Sequence, residues 1–319
     1  MRRKRIAFIL ILAIILTSFS FTQDLTTVYG SESSQAEKSL LKAVEYYYTY
    51  ENAKLNDWEE LMAIYGSGDE ITRWQLPDIP KVDPGSIKSY LPAIITSLIK
   101  GKNPKDLVEA LLKKSDNGIF SNHADVQSLA MLGVEIASKA GIDFESNGYS
   151  GIEAATHLIS LKDSEKDGFT GEYDGELITV DTTGYVALAL APYIYNEEVK
   201  TCIEDIVDFF EDEQLDNGGF NYRSVWEGTT YEYESANSTS IAVWGLIAIR
   251  EESDEQKLNY RIDNIISKTV PALTKWQNED GSFGTDSDGQ GNFNSLTSRQ
   301  VMIALYCIAS ESNIFNKIG

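Results

Sequence analysis

The chain has 319 residues, 42% of them apolar and 24% charged, a composition that can bury a large core and that excludes wholesale disorder, collagen and coiled coil. Its 49 acids against 27 bases leave a formal charge of −22. A field of that sign repels phosphate backbones and anionic lipid heads, so no nucleic-acid partner is expected.

In chain order, Arg2, Arg3, Lys4 and Arg5 form a basic head ahead of the uncharged, mostly apolar run Ile6 to Phe21, which is short for a membrane span of about 20 residues. Val28-Tyr29-Gly30 offers a small-residue cleavage site. The reading is a signal peptide over 1–30, a short linker over 31–37, one domain over 38–312 and a tail over 313–319. It predicts a secreted, extracellular or cell-surface protein without a transmembrane domain once the signal is removed. Leu40 to Tyr50, Trp58 to Tyr65, Ile87 to Lys100 and Asn103 to Lys114 read as helices, and Pro77, Pro80 and Pro84 break the connection between the second and third.

Beyond them an Asp/Asn-Gly-aromatic turn recurs: Asp116-Asn117-Gly118-Ile119-Phe120, Asp167-Gly168-Phe169, Asp216-Asn217-Gly218-Gly219-Phe220 and Asp280-Gly281-Ser282-Phe283. Such self-similarity at a period of roughly fifty residues marks a repeat fold. A helical pattern precedes each turn, as in Ile203, Ile206, Val207 and Phe210, and a second helix follows it. The second helices share a small-plus-apolar pair: Gly133-Val134, Ala189-Leu190, Gly245-Leu246 and Ala304-Leu305. Counting back from these pairs places Asp125, Asp181, Asn237 and Leu296 in register at the helix starts, where Asp181 and Asn237 read as N-caps. Small residues suit an inner ring of closely packed helices and charged faces suit an outer one. The repeats and the upstream helices, about eleven or twelve in all, predict an all-α fold, an α/α toroid of repeated helical hairpins. Cys202 and Cys307 fall in apolar helical patterns that predict buried thiols, with a single bridge between them left open.

Gln277-Asn278-Glu279-Asp280-Gly281-Ser282-Phe283-Gly284 resembles the turn motif of the terpenoid cyclase and protein prenyltransferase superfamily, and Asp181-Thr182-Thr183-Gly184-Tyr185 is similar to its inner-helix signature. Asn56 to Gly66 and Glu234-Ser235-Ala236-Asn237-Ser238 resemble a branch of secreted bacterial surface proteins related to the α-domain of cobalamin carriers. The resemblance covers residues 38–312. It implies the toroid fold, and it implies that Asp125, Asp181, Tyr185, Asn237 and Arg299 stand at a cavity mouth.

The known chemistries of that superfamily lack their residues here. No Asp-x-Asp-Asp acid occurs, the nearest string being Asp286-Ser287-Asp288-Gly289. The two histidines, His123 and His157, have no cysteine near them in sequence to build a zinc site. Asp163, Glu165, Asp167, Gly168 and Asp174 fall at offsets 1, 3, 5, 6 and 12 of a calcium loop. Glu at the third and Asp at the twelfth depart from that pattern, and the Asp-Gly pair already belongs to the repeat turn. No cofactor is expected, with calcium at Asp163, Asp167 and Asp174 as the alternative.

The loop before the third aligned inner helix gathers Tyr222, Arg223, Trp226, Tyr231, Glu232, Tyr233 and Glu234, aromatics and carboxylates suited to stacking on a sugar ring while bonding its edge. The leading expectation is a non-catalytic surface module that binds a small molecule, glycan or protein partner at the toroid mouth. The alternative is an enzyme, either divergent and terpenoid cyclase-like or a glycan-active α/α barrel. The latter needs two carboxylates about 5 to 10 Å apart over one cleft, and Asp181, Glu232 and Glu234 are the candidates. A third reading is cobalamin-type carriage with a separate lid domain.

Overall fold

The computed structural model describes residues 31–284 and 292–319; the expected signal peptide over 1–30 and the acids Asp286 and Asp288 lie outside the described residues. A helical segment over 31–49 (α1) absorbs the expected linker, because Ala36, Leu40, Ala43 and Tyr47 recur at helical spacing and are all buried. Then follow α2 (Trp58–Ser67), α3 (Tyr90–Ile99), α4 (Lys105–Leu112), α5 (Ala124–Lys139), α6 (Gly151–Ile159) and α7 (Val180–Leu190). The remaining helices are α8 (Glu197–Glu213), α9 (Ala236–Glu252), α10 (Gln256–Thr274), α11 (Ser295–Ser310) and α12 (Ile314–Ile318).

The arrangement is an α/α barrel. α2, α3, α5, α7, α9 and α11 pack each against the next, and α11 returns to α2 to close the ring. Outside it, α4, α6, α8 and α10 each bridge two neighbouring inner helices. Burial follows the pattern of the sequence: α8 buries Val199, Cys202, Ile203, Ile206, Val207 and Phe210 and turns its acids outward, whereas α9 is buried on nearly every side. At Gly245 on α9 an added Cβ would stand 2.7 Å from the Cβ of Ala187 on α7, so the small residue sets how closely these inner helices approach. The segment between α2 and α3 contains no α-helix, as its prolines require. It is fastened instead by Trp74, which is buried, and by Lys100 Nζ donating to the Pro77 carbonyl at 2.6 Å.

One device repeats in all four turns. The N–H of Phe120 donates to Gln127 Oε1 (2.8 Å), that of Phe169 to Thr183 Oγ1 (3.1 Å), that of Phe220 to Thr239 Oγ1 (2.9 Å) and that of Phe283 to Ser298 Oγ (3.1 Å). The four acceptors share one register position, two residues beyond Asp125, Asp181, Asn237 and Leu296. Each turn is thereby sewn to the inner helix of its own repeat while its phenylalanine fills the layer between the rings. The glycines face the next outer helix: a Cβ at Gly218 would run into the Lys268 carbonyl of α10, and one at Gly281 into the Lys42 carbonyl of α1. The fourth turn thus docks on the first helix, helped by Ser39 Oγ donating to Gln277 Oε1 (2.7 Å) and Gln277 Nε2 donating to the Ser39 carbonyl (2.8 Å).

Two expectations need correction. The aromatic-rich segment expected as a loop is an antiparallel hairpin, β1 (Phe220–Trp226) and β2 (Thr229–Ser235), joined by Glu227 and Gly228 with φ of 49° and 76°. β-branched and aromatic residues alternating on both sides of an x-Gly pair specify such a hairpin. The expected tail folds as α12, whose Ile314, Phe315 and Ile318 are buried at the end of the barrel where the inner helices finish. Phe315 meets Trp244 edge-on at 6.3 Å, and Trp244 meets Tyr185 at 6.5 Å, so an aromatic column fills the barrel below its mouth. Cys202 and Cys307 are separate buried thiols, each pushed up to about 12 by burial. No helix among the described residues is long and apolar enough to cross a membrane.

Candidate functional site

The mouth is formed by the N-terminal turns of the inner helices. Their caps stand two residues before the expected positions: Thr179 accepts from the Thr182 N–H, Ser235 from Ser238 and Asn294 from Thr297, while Asp57 caps α2. Asp181 and Asn237 are therefore not caps. With Asp125 and Glu59 they occupy the second position inside their helices, and their side chains are released to project into the mouth.

A polar belt links these positions around the axis. Ser238 Oγ donates to Asp181 Oδ2 (3.2 Å), Thr297 Oγ1 to Asn237 Oδ1 (3.0 Å), and Asn237 Nδ2 to Gln300 Oε1 (2.8 Å). Gln300 Nε2 continues to Glu59 Oε1 (3.3 Å), and Arg299 binds Glu59 Oε2 through Nε (2.6 Å) and Asp57 through Nη1. On the other side Lys88 Nζ holds Asp125 (2.5 Å) and Glu172 (3.0 Å), and the Glu172 N–H donates to Asp125 Oδ1 (2.9 Å). Tyr185 stands inside the belt; burial comes first among the causes that raise its hydroxyl well above the ordinary range, followed by the charges of Glu59, Asp181 and Asp125.

Asp181 has the most unusual environment of the belt. Its Oδ1 is shielded from water and has no hydrogen-bond partner. Burial pushes its carboxyl up to about 7, the Ser238 hydrogen bond opposes this, and the charge of Asp174 adds to it. A helix N-terminus favours a carboxylate by only about 0.3–1 kcal/mol. A rise from 3.8 to about 7 corresponds to on the order of several kcal/mol, so desolvation wins. Asp174 accepts on Oδ2 from the Gly171 N–H (2.9 Å), Thr179 Oγ1 (2.9 Å) and Thr182 Oγ1 (2.8 Å).

Beside Asp181 opens a cavity of about 370 Å³, lined by Tyr222, Tyr233, Ser235, Asn237, Asn294, Thr297 and Gln300 among others. The hairpin supplies its aromatic wall: Tyr222 and Tyr233 are cross-strand partners with ring centres 5.4 Å apart. Strand alternation divides the rest of the expected group. Arg223 pairs with Glu232 (2.9 Å) and Glu213 (2.7 Å) on the opposite face, which lines a separate groove. Glu234 is held by Lys275 (2.5 Å) and Asn217 (3.1 Å), Tyr231 is exposed opposite Ser224, and Trp226 ends β1 opposite Thr229. Of the three candidates for a hydrolytic pair, only Asp181 reaches this cavity; Glu232 and Glu234 are occupied in ion pairs on the other side of a period-2 strand.

Glu59 and Gln300 are residues of the mouth that sequence reasoning missed, and Asp174, expected only as a calcium ligand, joins them there. Glu59 was legible in principle, since it stands two residues past the Asp57 cap in the same register as Asp125 and Asp181. The expected calcium ligands have separate partners: Asp163 Oδ1 accepts from the N–H groups of Glu165 and Lys166, Asp167 pairs with Lys162, and Asp174 faces the mouth. Among the described residues no cluster of three or more His, Cys, Asp or Glu side chains is placed to hold a metal. His157 Nε2 lies 2.9 Å from the Ser121 carbonyl.

No family model matches the sequence, and no curated protein matches it. Solved structures do match the fold. An unsaturated glucuronyl hydrolase from Bacillus sp. GL1, described as responsible for the degradation of glycosaminoglycan, superposes with a TM-score of 0.57 at 11% identity over 86% of this chain and 96% of that one. A UGL variant with dGlcA-Glc-Rha-Glc gives 0.49 at 10% identity over 69% and 73%. A possible member of the GH105 family from Salmonella enterica serovar Paratyphi A gives 0.47 at 12% identity over 80% and 83%. At such identities the likeness is one of fold, the α/α barrel, and it overturns the ground for expecting a non-catalytic module. That expectation rested on the export signal, the intact repeats and the missing catalytic strings, and the leaning away from an enzyme on the missing cyclase and prenyltransferase strings. The same barrel serves a glycan hydrolase, and acids contributed by separate repeats leave no contiguous string to find.

Proposed function

We propose that the chain is a glycan-active α/α-barrel enzyme in which Asp181 transfers a proton at the barrel mouth. The observation that carries this reading is the state of Asp181: half-buried at the edge of an open cavity, its carboxyl pushed up to about 7 and its shielded Oδ1 without a partner. A carboxyl that keeps its proton near neutrality serves as a general acid toward a glycosidic oxygen, and proton transfer by a positioned side chain contributes about 10²–10⁴-fold. Tyr222 and Tyr233 form a wall on which a sugar ring stacks, and Asn237 and Gln300 offer amides to its hydroxyls. Asp174, whose charge helps keep the proton on Asp181, and Asp125 are the candidates for the second carboxyl. Both flank Gly171: a Cβ there would stand 2.8 Å from Asp174 Oδ2 and 3.2 Å from Asp125 Cγ, so the two candidates lie beside one another. The glycan hydrolase among the fold neighbours supports the substrate class.

The test is turnover of a panel of oligosaccharides by the wild-type chain and by Asp181→Asn, read as new reducing ends. Cleavage by the wild type that falls about 100-fold or more in the variant, with binding retained, is the expected result. Cleavage at an equal rate by the variant, or none by either protein, overturns the reading. The basic head and apolar run support export, and recovery of the protein outside the cell with its first residues removed checks that.

A further inference from the structure

The cavity beside Asp181 is lined by one acid and, among the described residues, by no lysine, arginine or histidine. The two cations of the belt are already engaged by two carboxylates each. Lys88 lies between Asp125 and Glu172 at 2.5 and 3.0 Å, and Arg299 between Asp57 and Glu59, the latter at 2.6 Å. A carboxylate brought into this cavity would lose its hydration and find no free cation. It would also face Asp181, whose Oδ1 is shielded and without a donor. Burying an anion under those conditions is unfavourable unless a charge-assisted bond replaces the lost water. The lining offers neutral groups instead: the amides of Asn237, Asn294 and Gln300, the Thr297 hydroxyl, and the rings of Tyr222 and Tyr233. Such groups recognise hydroxyls and a ring face.

We propose that the sugar seated in this cavity carries no carboxylate: the site takes an uncharged hexose ring, with a hydroxymethyl or another neutral group where a uronide has its acid. This rests on the glycan-active reading, and it separates the chain from the Bacillus sp. GL1 protein, whose name specifies a glucuronyl group.

Matched 4-methylumbelliferyl glycosides test it, because glucoside with glucuronide and galactoside with galacturonide differ only at C6. Binding is measured by calorimetry and turnover by fluorescence, separately, on the full chain. The expected result is that the neutral member of a pair binds at least about tenfold tighter, as the loss of one charge-assisted bond implies. If it is also hydrolysed, the glycosidase reading stands with it. Binding of the neutral member without hydrolysis of either supports the inference and counts against the glycosidase reading. Tighter binding or faster hydrolysis of the uronide overturns the inference while leaving that reading in place, and failure to bind either member overturns it as well. A second variant strengthens the test: Leu296→Arg adds a cation at an exposed position of the lining. It is expected to shift the preference toward the uronide by about tenfold, and an unchanged ratio contradicts a selectivity set by charge.

Discussion

Asp181 illustrates how position and environment divide the work at the level of one side chain. Thr179 takes the capping role expected of Asp181, and the freed carboxyl is left with a single donor, Ser238. Its proton then couples to folding. The folded chain keeps that proton up to about pH 7, whereas the unfolded chain releases it near the ordinary 3.8. Between those values the native state holds more protons, so stability falls as pH rises through the window and levels off above it. Asp181→Asn removes this penalty. The variant is expected to match the wild type near pH 4 and to exceed it above pH 7 by on the order of a few kcal/mol, as read from denaturant unfolding at stepped pH. Turnover is expected to show the opposite face of the same group, with a limb that declines above about pH 7 as the general acid loses its proton; a rate that keeps rising through pH 9 would remove Asp181 from that role. The register of the repeats pointed to Asp181 from sequence alone. The shift of its carboxyl did not show there, because it depends on burial in the folded barrel and on Ser238 and Asp174, which arrive from other parts of the chain.

Between elements, the seam joining each turn to its inner helix is the feature that makes the repeats interchangeable. Thr239 donates to the Ser235 carbonyl (2.7 Å) and accepts from the Phe220 N–H (2.9 Å) in a fully buried setting. Thr239→Val keeps the shape and orphans that N–H. A loss of about 1–3 kcal/mol is expected in urea unfolding, against little change for a similar substitution at the exposed Thr230. Gly281→Ala sets the fourth turn against the Lys42 carbonyl at a φ of 101°. It is expected to destabilise by about 1–3 kcal/mol, seen as a lowered melting temperature. The turns were legible because Gly, Asn and Asp announce them locally, and the inner helices because their small-plus-apolar pairs align without gaps. The hairpin carried an equally local signal, alternation about Glu227-Gly228, but Tyr and Trp suit a ligand wall as well as a strand, so composition alone does not separate the two. That alternation is also what separates Tyr222 and Tyr233 from Arg223 and Glu232.

For the molecule as a whole, ring closure and the filled base decide what kind of site exists. α12 and the column Phe315, Trp244 and Tyr185 close one end, so the cavity at the other end is a blind pocket and not a channel. Phe315→Ala opens a void in that base, with an expected loss of about 3–5 kcal/mol in denaturant unfolding. By itself the sequence determined the helical class, the repeat, the inner and outer rings and the register that sets Asp125, Asp181 and Asn237 at one level, since all of these follow from local propensity and periodicity. Only the tertiary structure decided which side chains share a cavity, which cations are already neutralised and which acid keeps an oxygen without a partner. Those properties belong to contacts between residues far apart in the chain, such as Arg299 with Glu59 or Gly281 with Lys42, and no window along the sequence contains both partners.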